Sequence, residues 1–247
     1  MNFDLQYICE KICNLLLSKQ KDVFIDISLG YVLKSTRTLK ATNILYNNYL
    51  NEQAQSLVRI LFELRLNFDC FLKMSNSDLK NTCMKVVDSM ILEKVKQARA
   101  SSFVGMGKEL VDNLIQSEKE ISNRYNPDKL KRMKRYGFTG MNIESRAHFT
   151  GHKEAYDIIY RNFSRNIHST DYLEHYIIQN PHFLKEPEFT SDYLESRDIA
   201  SLYTAHFSAG GVAESANHIF KCGLDKELDN LGSLQRKLKE DRQRGLP

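Results

Sequence analysis

Glycine and proline are scarce in this sequence, with 11 glycines and 4 prolines among 247 residues. A chain of many short strands joined by tight turns needs more of both residue types, because turns depend on them. Their scarcity argues against such a fold and favours long helices. Hydrophobic residues make up 42% of the chain, which is ample material for a core.

Long apolar runs are also absent. No segment approaches the roughly 18 consecutive apolar residues that a membrane span needs. The first six residues carry an acid, Asp4, where a secretory signal carries bases, and no small-residue cleavage site follows. We therefore expect a soluble, cytoplasmic protein that has no membrane partner.

The five cysteines are odd in number and scattered, and no two of them form a C-x-x-C pair. They are Cys9, Cys13, Cys70, Cys83 and Cys222. This distribution fits a reducing compartment better than a disulfide framework. Cys9 and Cys13 lie one helical turn apart, which predicts buried core thiols.

Common nucleotide and hydrolase motifs are missing as well. The chain has no P-loop, no G-x-G-x-x-G and no nucleophile-elbow pattern, and we predict no cofactor. The formal net charge of +4 and the pI near 8.7 are compatible with a nucleic-acid partner. They do not point to such a partner by themselves.

What the chain does have is apolar residues at helical spacing along most of its length. The predicted helices cover 4–19, 22–50, 51–74, 77–100, 104–124, 127–136, 152–176, 190–222 and 225–244. A break near Gly30 or Thr36–Thr38 stays open, and three glycines predict an ordered loop over 137–151. The fold expected is an all-α multi-helix bundle, with one domain over 1–223 and a charged helix over 224–247 that projects from it.

The segment 160–168 carries the most chemistry. On a helix, positions i, i+3, i+4 and i+7 share one face, and here they hold Arg161, Ser164, Arg165 and His168. Two guanidinium groups, a hydroxyl and an imidazole therefore project together. The alternative is a solvated polar face with an incidental histidine.

Arg59 and Glu63 form the second candidate pair, since they lie one helical turn apart. Apolar residues flank them, so we expect the pair to be partly buried. A buried ion pair usually has a further polar partner, because an unpaired buried charge is expensive. The alternative is an ordinary surface pair.

A cluster of cations between Asn126 and Phe138 could follow a phosphate backbone. The candidate nucleic-acid-binding residues are Lys131, Arg132, Lys134 and Arg135, with Lys129 and Tyr136 beside them. The alternative is a solvated basic helix. Asn126 and Pro127 predict where this helix begins, and Gly137 predicts where it ends.

Metal binding has weaker support. His148 and His152 have zinc-ligand spacing for a helix, but the Phe-Thr-Gly between them makes a helix doubtful and no third ligand is evident. We predict no metal site. His206 is expected either in the core or next to a functional residue whose side chain it supports.

Two resemblances join these residues. Arg59-x-x-x-Glu63, followed by Ser164-x-x-x-His168, resembles an uncharacterised bacterial family of helical proteins of unknown function, over about residues 50–210. Arg161-Asn162, with six residues between Arg161 and His168, resembles the HEPN superfamily. Those domains carry an arginine, a polar residue and then a histidine near the start of their last core helix.

The HEPN resemblance implies an HEPN-like bundle and metal-independent RNA cleavage at a site that two protomers share. His168 would move the proton of the ribose 2′-hydroxyl or of the leaving oxygen, and Arg161 would hold the phosphate. Ser164 would orient His168 or donate to phosphate, and Glu63 would fix Arg161 or His168. Because Arg165 is also near, which arginine plays the HEPN role stays open.

The function that this resemblance implies is an endoribonuclease, as a toxin or phage-defence effector. Its partners would be RNA, a second copy of the chain, and a protein from a defence or toxin–antitoxin system. The alternative function is a non-catalytic helical module that binds a protein or a nucleotide.

Overall fold

The computed structural model describes residues 2–48, 50–100, 108–160 and 191–233. Within these ranges every regular element is a helix, which confirms the all-α class. The chain falls into two compact units. Unit 1 comprises Met1–Phe68 and His152–Pro247, and unit 2 comprises Asp69–Gly151.

The described ranges contain the following helices in chain order. They are α1 (Asn2–Leu17), α2 (Val23–Asn47), α3 (Asn51–Ser77), α4 (Leu79–Ala100), α5 (Lys108–Arg124), α6 (Pro127–Tyr136), α7 (Ile143–Thr150), α8 (Lys153–Ala155), a π-helical turn (Tyr156–Tyr160), α9 (Ser191–Phe220) and α10 (225–233). None of the helices in the described ranges is both long enough and apolar enough to span a bilayer.

In unit 1, α1, α2 and α9 pack against one another. Leu5, Ile12 and Leu16 of α1 are fully buried, and each such side chain contributes about 1.5–3 kcal/mol relative to exposure. On α9 the buried positions are small, among them Ala205, Ala209, Ala213 and Ala216. Small residues allow the helix to approach its neighbours closely.

Helix α2 is continuous, so the break considered near Gly30 or Thr36–Thr38 does not occur. The threonine hydroxyls in its threonine-rich stretch bond to main-chain oxygens one turn earlier. Thr36 Oγ1 donates to Val32 O and Thr38 Oγ1 to Lys34 O, each at 2.8 Å. These bonds satisfy the buried hydroxyls within the helix, so they do not compete with it.

The described start of the C-terminal helix does not project. Leu224, Leu228 and Leu231 are buried, and Lys11 Nζ lies 3.7 Å from Glu227 Oε1. This part of α10 therefore packs within unit 1. The rest of the charged helix expected up to residue 244 lies outside the described residues.

In unit 2, α4 packs against α5 and α6. Leu92 of α4, Ile121 of α5 and Met133 of α6 form the buried cluster at their centre. These three side chains hold α6 in place, and α6 carries most of the cations discussed below.

The prediction of a loop over 137–151 was wrong for the second half of this range, where α7 forms. Asn142 caps this helix by accepting the Ser145 N–H at 2.8 Å, and Gly151 ends it with a φ of 84°. Arg146 of α7 donates from Nη2 to Tyr136 O at 3.0 Å. An eight-residue helix is marginal alone, and these contacts stabilise it.

Candidate nucleic-acid interface

Helix α6 begins and ends where the sequence predicts. The Asn126 side chain accepts the Lys129 N–H at 2.8 Å, and Pro127 occupies the first turn. Proline suits this position because its missing N–H would have no partner there. At the other end Gly137 has a φ of 78°, a value that glycine adopts without strain. Both ends of the cationic helix are thus set by local residues.

The cations lie on the outside of α6. Met133 is buried on its inner side. Its exposed cations are the four predicted as nucleic-acid-binding, namely Lys131, Arg132, Lys134 and Arg135, and the acidic Asp128 is exposed in its first turn. A helix anchored by one buried face presents such side chains from a fixed backbone.

These four residues differ in their partners. Lys134 Nζ lies 2.7 Å from Glu118 Oε1, and Arg99 Nη2 lies 2.6 Å from the second oxygen of the same carboxylate. Glu118 is buried and its charge offsets that of Lys134. Lys131 makes no ion pair in the part of the chain that the structure describes. It is therefore more available to an anion than Lys134.

Arg132 is held in one orientation by a main-chain oxygen. Its Nε donates to Gly140 O at 3.0 Å, and Gly140 adopts a φ of 63°. Among the described residues, its two terminal nitrogens have no hydrogen-bond partner. They remain free to donate together to a phosphate or carboxylate.

Arg132 lines a cleft of about 420 Å³ within unit 2. Lys85 of α4 and Lys129 of α6 bring two further cations to this cleft, and Asp128 is the one carboxylate in its lining. The cleft is formed by residues of α3, α4 and α6 and by the turn at 138–140. It thus holds three cations against one anion.

Lys85 was missed by the sequence analysis. Its side chain is half-buried, and it makes no ion pair with any residue in the described ranges. Burial and the positive charge of Lys129 lower the pKa of the Lys85 ammonium, while Asp78 acts in the opposite sense. Lys85 and Lys129 thus line the same cleft without a carboxylate in hydrogen-bonding contact among the described residues.

Lys129 is positioned by a buried network. Its Nζ lies 4.8 Å from the centre of the Tyr125 ring. The Tyr125 hydroxyl donates to Asp88 Oδ2 at 2.8 Å, and Arg124 Nη1 lies 3.0 Å from the other oxygen of Asp88. Asp88 is 2% exposed. The network fixes the ring over which Lys129 lies.

The predicted pairing of Arg59 with Glu63 is confirmed in unit 1. Arg59 Nε donates to Glu63 Oε1 at 3.1 Å, and the two side chains are 20% and 36% exposed. Partial burial was also expected. The structure does not test whether the pair serves the 161–168 face.

The predicted catalytic face lies outside the described residues. Arg161, Ser164, Arg165 and His168 fall in the range 161–190, which follows directly on the π-helical turn. Their expected roles remain predictions from the sequence.

His148 and His152 do not lie one turn apart on a single helix. Helix α7 ends at Thr150, and His152 is the residue before α8. In the described ranges, no group of three or more His, Cys, Asp or Glu side chains could hold a metal ion. His206 is a core residue, and burial lowers its pKa to about 4.

The buried thiols are unsuited to nucleophilic chemistry. Cys9, Cys13, Cys70 and Cys83 are buried, as expected for Cys9 and Cys13. Burial raises the pKa of Cys9 and of Cys70 to about 12. Because the thiolate is the reactive form, these cysteines are structural.

Comparison with known proteins identifies a family without assigning an activity. No curated protein matches the chain, and no solved structure matches it. The model of a family of unknown function, DUF5677, matches residues 25–183. This range contains all but the first two residues of α2, then α3 to α8, the cleft of unit 2 and the 161–168 segment. Since the match covers more than half of the sequence, the chain belongs to the DUF5677 family of unknown function.

Proposed function

We propose that the chain is an RNA-binding protein that cleaves RNA without a metal ion. The observation that carries the RNA-binding part is the exposed cationic face of α6. Nucleic-acid affinity comes largely from neutralising phosphates with lysine and arginine. Lys131 and Arg135 supply exposed charge, and Arg132 adds a guanidinium that is already oriented.

The aromatic side chains near α6 support the same proposal. The Arg135 guanidinium lies 5.0 Å from the centre of the Tyr136 ring, and Tyr136 is half-buried. Proteins that bind single strands combine basic grooves with aromatic rings on which bases stack. The end of α6 offers both chemistries within two consecutive residues.

The cleavage part rests on Arg161 and His168, through the HEPN resemblance. In this mechanism His168 transfers the proton and Arg161 stabilises the charge that develops on the phosphate. Ser164 and Arg165 lie on the same predicted face. Arg59 and Glu63 are candidates to position it, since they form a half-buried ion pair on α3.

An alternative function is a non-catalytic helical module that binds a nucleotide or a protein. The specific observation that favours it is the cleft of unit 2, which brings three cations to one concave surface suited to a small anionic ligand. In this alternative the 161–168 face is a structural polar face, and replacing His168 affects stability without any RNA cleavage to lose.

The test is to incubate the purified protein with total RNA, with and without EDTA. We expect cleavage that survives EDTA and leaves a 2′,3′-cyclic phosphate or a 3′-phosphate. His168→Ala should reduce cleavage about 10²–10⁴-fold, the usual cost of losing a general acid or base. Alanine is the best helix former, so the melting temperature should hold.

His148→Ala is the matched control, because His148 is exposed on α7 and lies outside the proposed catalytic face. It should leave both cleavage and melting temperature unchanged. Cleavage that disappears with EDTA, or that is equal in His168→Ala and the wild type, refutes the mechanism. A fall in melting temperature in His168→Ala, with no RNase activity in either protein, supports the alternative.

A further inference from the structure

We propose that the cleft of unit 2 is a nucleotide-binding site in which Lys85, Lys129 and Arg132 hold the phosphate. The inference rests on the RNA-binding part of the proposed function for its choice of ligand. The cleft is the place where one phosphate of the ligand would be held. This nucleotide site does not require RNA cleavage.

The first argument is the geometry of Arg132. Its Nε is already bonded to Gly140 O, which fixes the plane of the guanidinium. The two terminal nitrogens then form a fork that matches two oxygens of one phosphate. Pre-orientation lowers the entropy lost when a ligand binds.

The second argument is the unbalanced charge at Lys85 and Lys129. Both line the cleft, whose one carboxylate is Asp128. Burial, and then the positive charge of Lys129, lower the pKa of the Lys85 ammonium. A phosphate bound in the cleft would supply the negative charge that its lining lacks. Lys134 provides a contrast on the same helix, since Glu118 already neutralises it. The cleft cations have no such internal carboxylate within hydrogen-bonding distance among the described residues.

The third argument is the size and the remaining lining of the cleft. Small-molecule sites typically enclose about 300–1,000 Å³, and this cleft encloses about 420 Å³. Met74, Met133 and Phe138 supply apolar lining next to the cations. Asp128 is a hydrogen-bond acceptor suited to a ribose hydroxyl. Cations, an acceptor and some apolar lining therefore lie in one cleft, which favours a nucleotide over inorganic phosphate.

Calorimetric titration of the full chain with adenosine monophosphate tests the site. We expect binding that weakens about tenfold or more in Arg132→Gln and in Lys85→Met, since each removes a charged contact of at least about 1.4 kcal/mol. Inorganic phosphate should bind more weakly than the nucleotide. Arg132 is exposed, so its variant should fold, and circular dichroism checks both.

Lys94→Met is the control, because it removes the same charge from the same helix as Lys85→Met. Lys94 is exposed and does not line the cleft. Nine residues at about 100° each place it on the opposite side of α4 from Lys85. Its nucleotide affinity should equal that of the wild type. Equal losses in Lys94→Met and Lys85→Met would overturn the proposal, since they would reveal only a general effect of charge.

A second titration, with a short single-stranded RNA, distinguishes a strand phosphate from a free nucleotide. If the RNA competes with the nucleotide and both weaken in Arg132→Gln, the cleft holds a phosphate of the strand. If only the nucleotide binds, the site stands and the proposed RNA function fails. If Arg132→Gln and Lys85→Met bind the nucleotide as tightly as the wild type does, or if neither probe binds the wild type, the cleft proposal is wrong.

Discussion

Two neighbouring glycines of α9 are expected to respond in opposite directions to replacement by alanine. Both are buried in the helix. A Cβ atom added at Gly210 meets nothing within 4 Å, whereas one added at Gly211 would lie 2.6 Å from Arg65 Nη1. Alanine is about 1 kcal/mol better than glycine inside a helix. Gly210→Ala should therefore stabilise the protein by about that amount.

At Gly211 the gain is outweighed by what Arg65 loses. Arg65 Nη1 donates to Phe207 O at 2.6 Å, and its guanidinium carbon lies 3.9 Å from the centre of the Phe207 ring. Displacing the guanidinium forfeits a charged hydrogen bond of about 1.5–3 kcal/mol and a cation–π contact of about 0.5–1 kcal/mol. Arg65 is half-buried, so the lower values apply, and the net effect is a loss of about 1 kcal/mol.

Urea denaturation followed by far-UV circular dichroism measures both variants against the wild type. The decisive comparison repeats Gly211→Ala in an Arg65→Ala background, where the collision is gone and alanine should stabilise by about 1 kcal/mol. The two substitutions should thus be non-additive by about 2 kcal/mol. If Gly211→Ala stabilises the wild type as much as Gly210→Ala does, the predicted collision with Arg65 is wrong.

Three further predictions concern charge, pH and assembly. Glu118→Gln removes the ion pair of Lys134, so RNA binding should become tighter and more dependent on salt concentration. The free energy of unfolding should fall by about 1 kcal/mol. Unchanged RNA affinity would contradict the role of α6. Burial lowers the pKa of His206 from 6.5 to about 4, so the unfolded chain takes up its proton first as the pH falls. The free energy of unfolding should decrease by up to about 3 kcal/mol as the pH falls from 6.5 to about 4. Urea denaturation midpoints should show a smaller decrease in His206→Gln than in the wild type. Light scattering should show a dimer if two copies share the 161–168 face, and a monomer at high micromolar concentration would count against a shared site.

Local signals explain why the sequence predicted α6 so closely. Asn126, Pro127 and Gly137 each act on their own backbone, so their effect depends little on the rest of the fold. The pair of Arg59 and Glu63 is of the same kind, because residues four apart meet on any helix. Such features can be derived from spacing alone.

The predictions that were wrong concern elements that depend on contacts outside the local segment. Helix α7 is too short for a clear hydrophobic period, and Arg146 stabilises it through main-chain oxygens of the preceding turn. The glycines at 137, 140 and 151 predicted a loop, yet Gly151 ends the helix instead. In α2, glycine and threonine signalled a break, but Val32 and Leu39 are buried where α2 packs against its neighbours, and this packing stabilises a continuous helix. In both cases contacts outside the helix decided against the local propensity.

Lys85 shows why the cleft itself could not be predicted. On α4 it is one lysine among several, and no spacing distinguishes it from Lys94. It becomes distinctive only because α6 brings Lys129 and Arg132 beside it, and that placement depends on Leu92, Ile121 and Met133 packing together. A basic helix can be found in a sequence by counting charges. A site in which cations from two helices face one another depends on tertiary packing, so the structure was needed to find it.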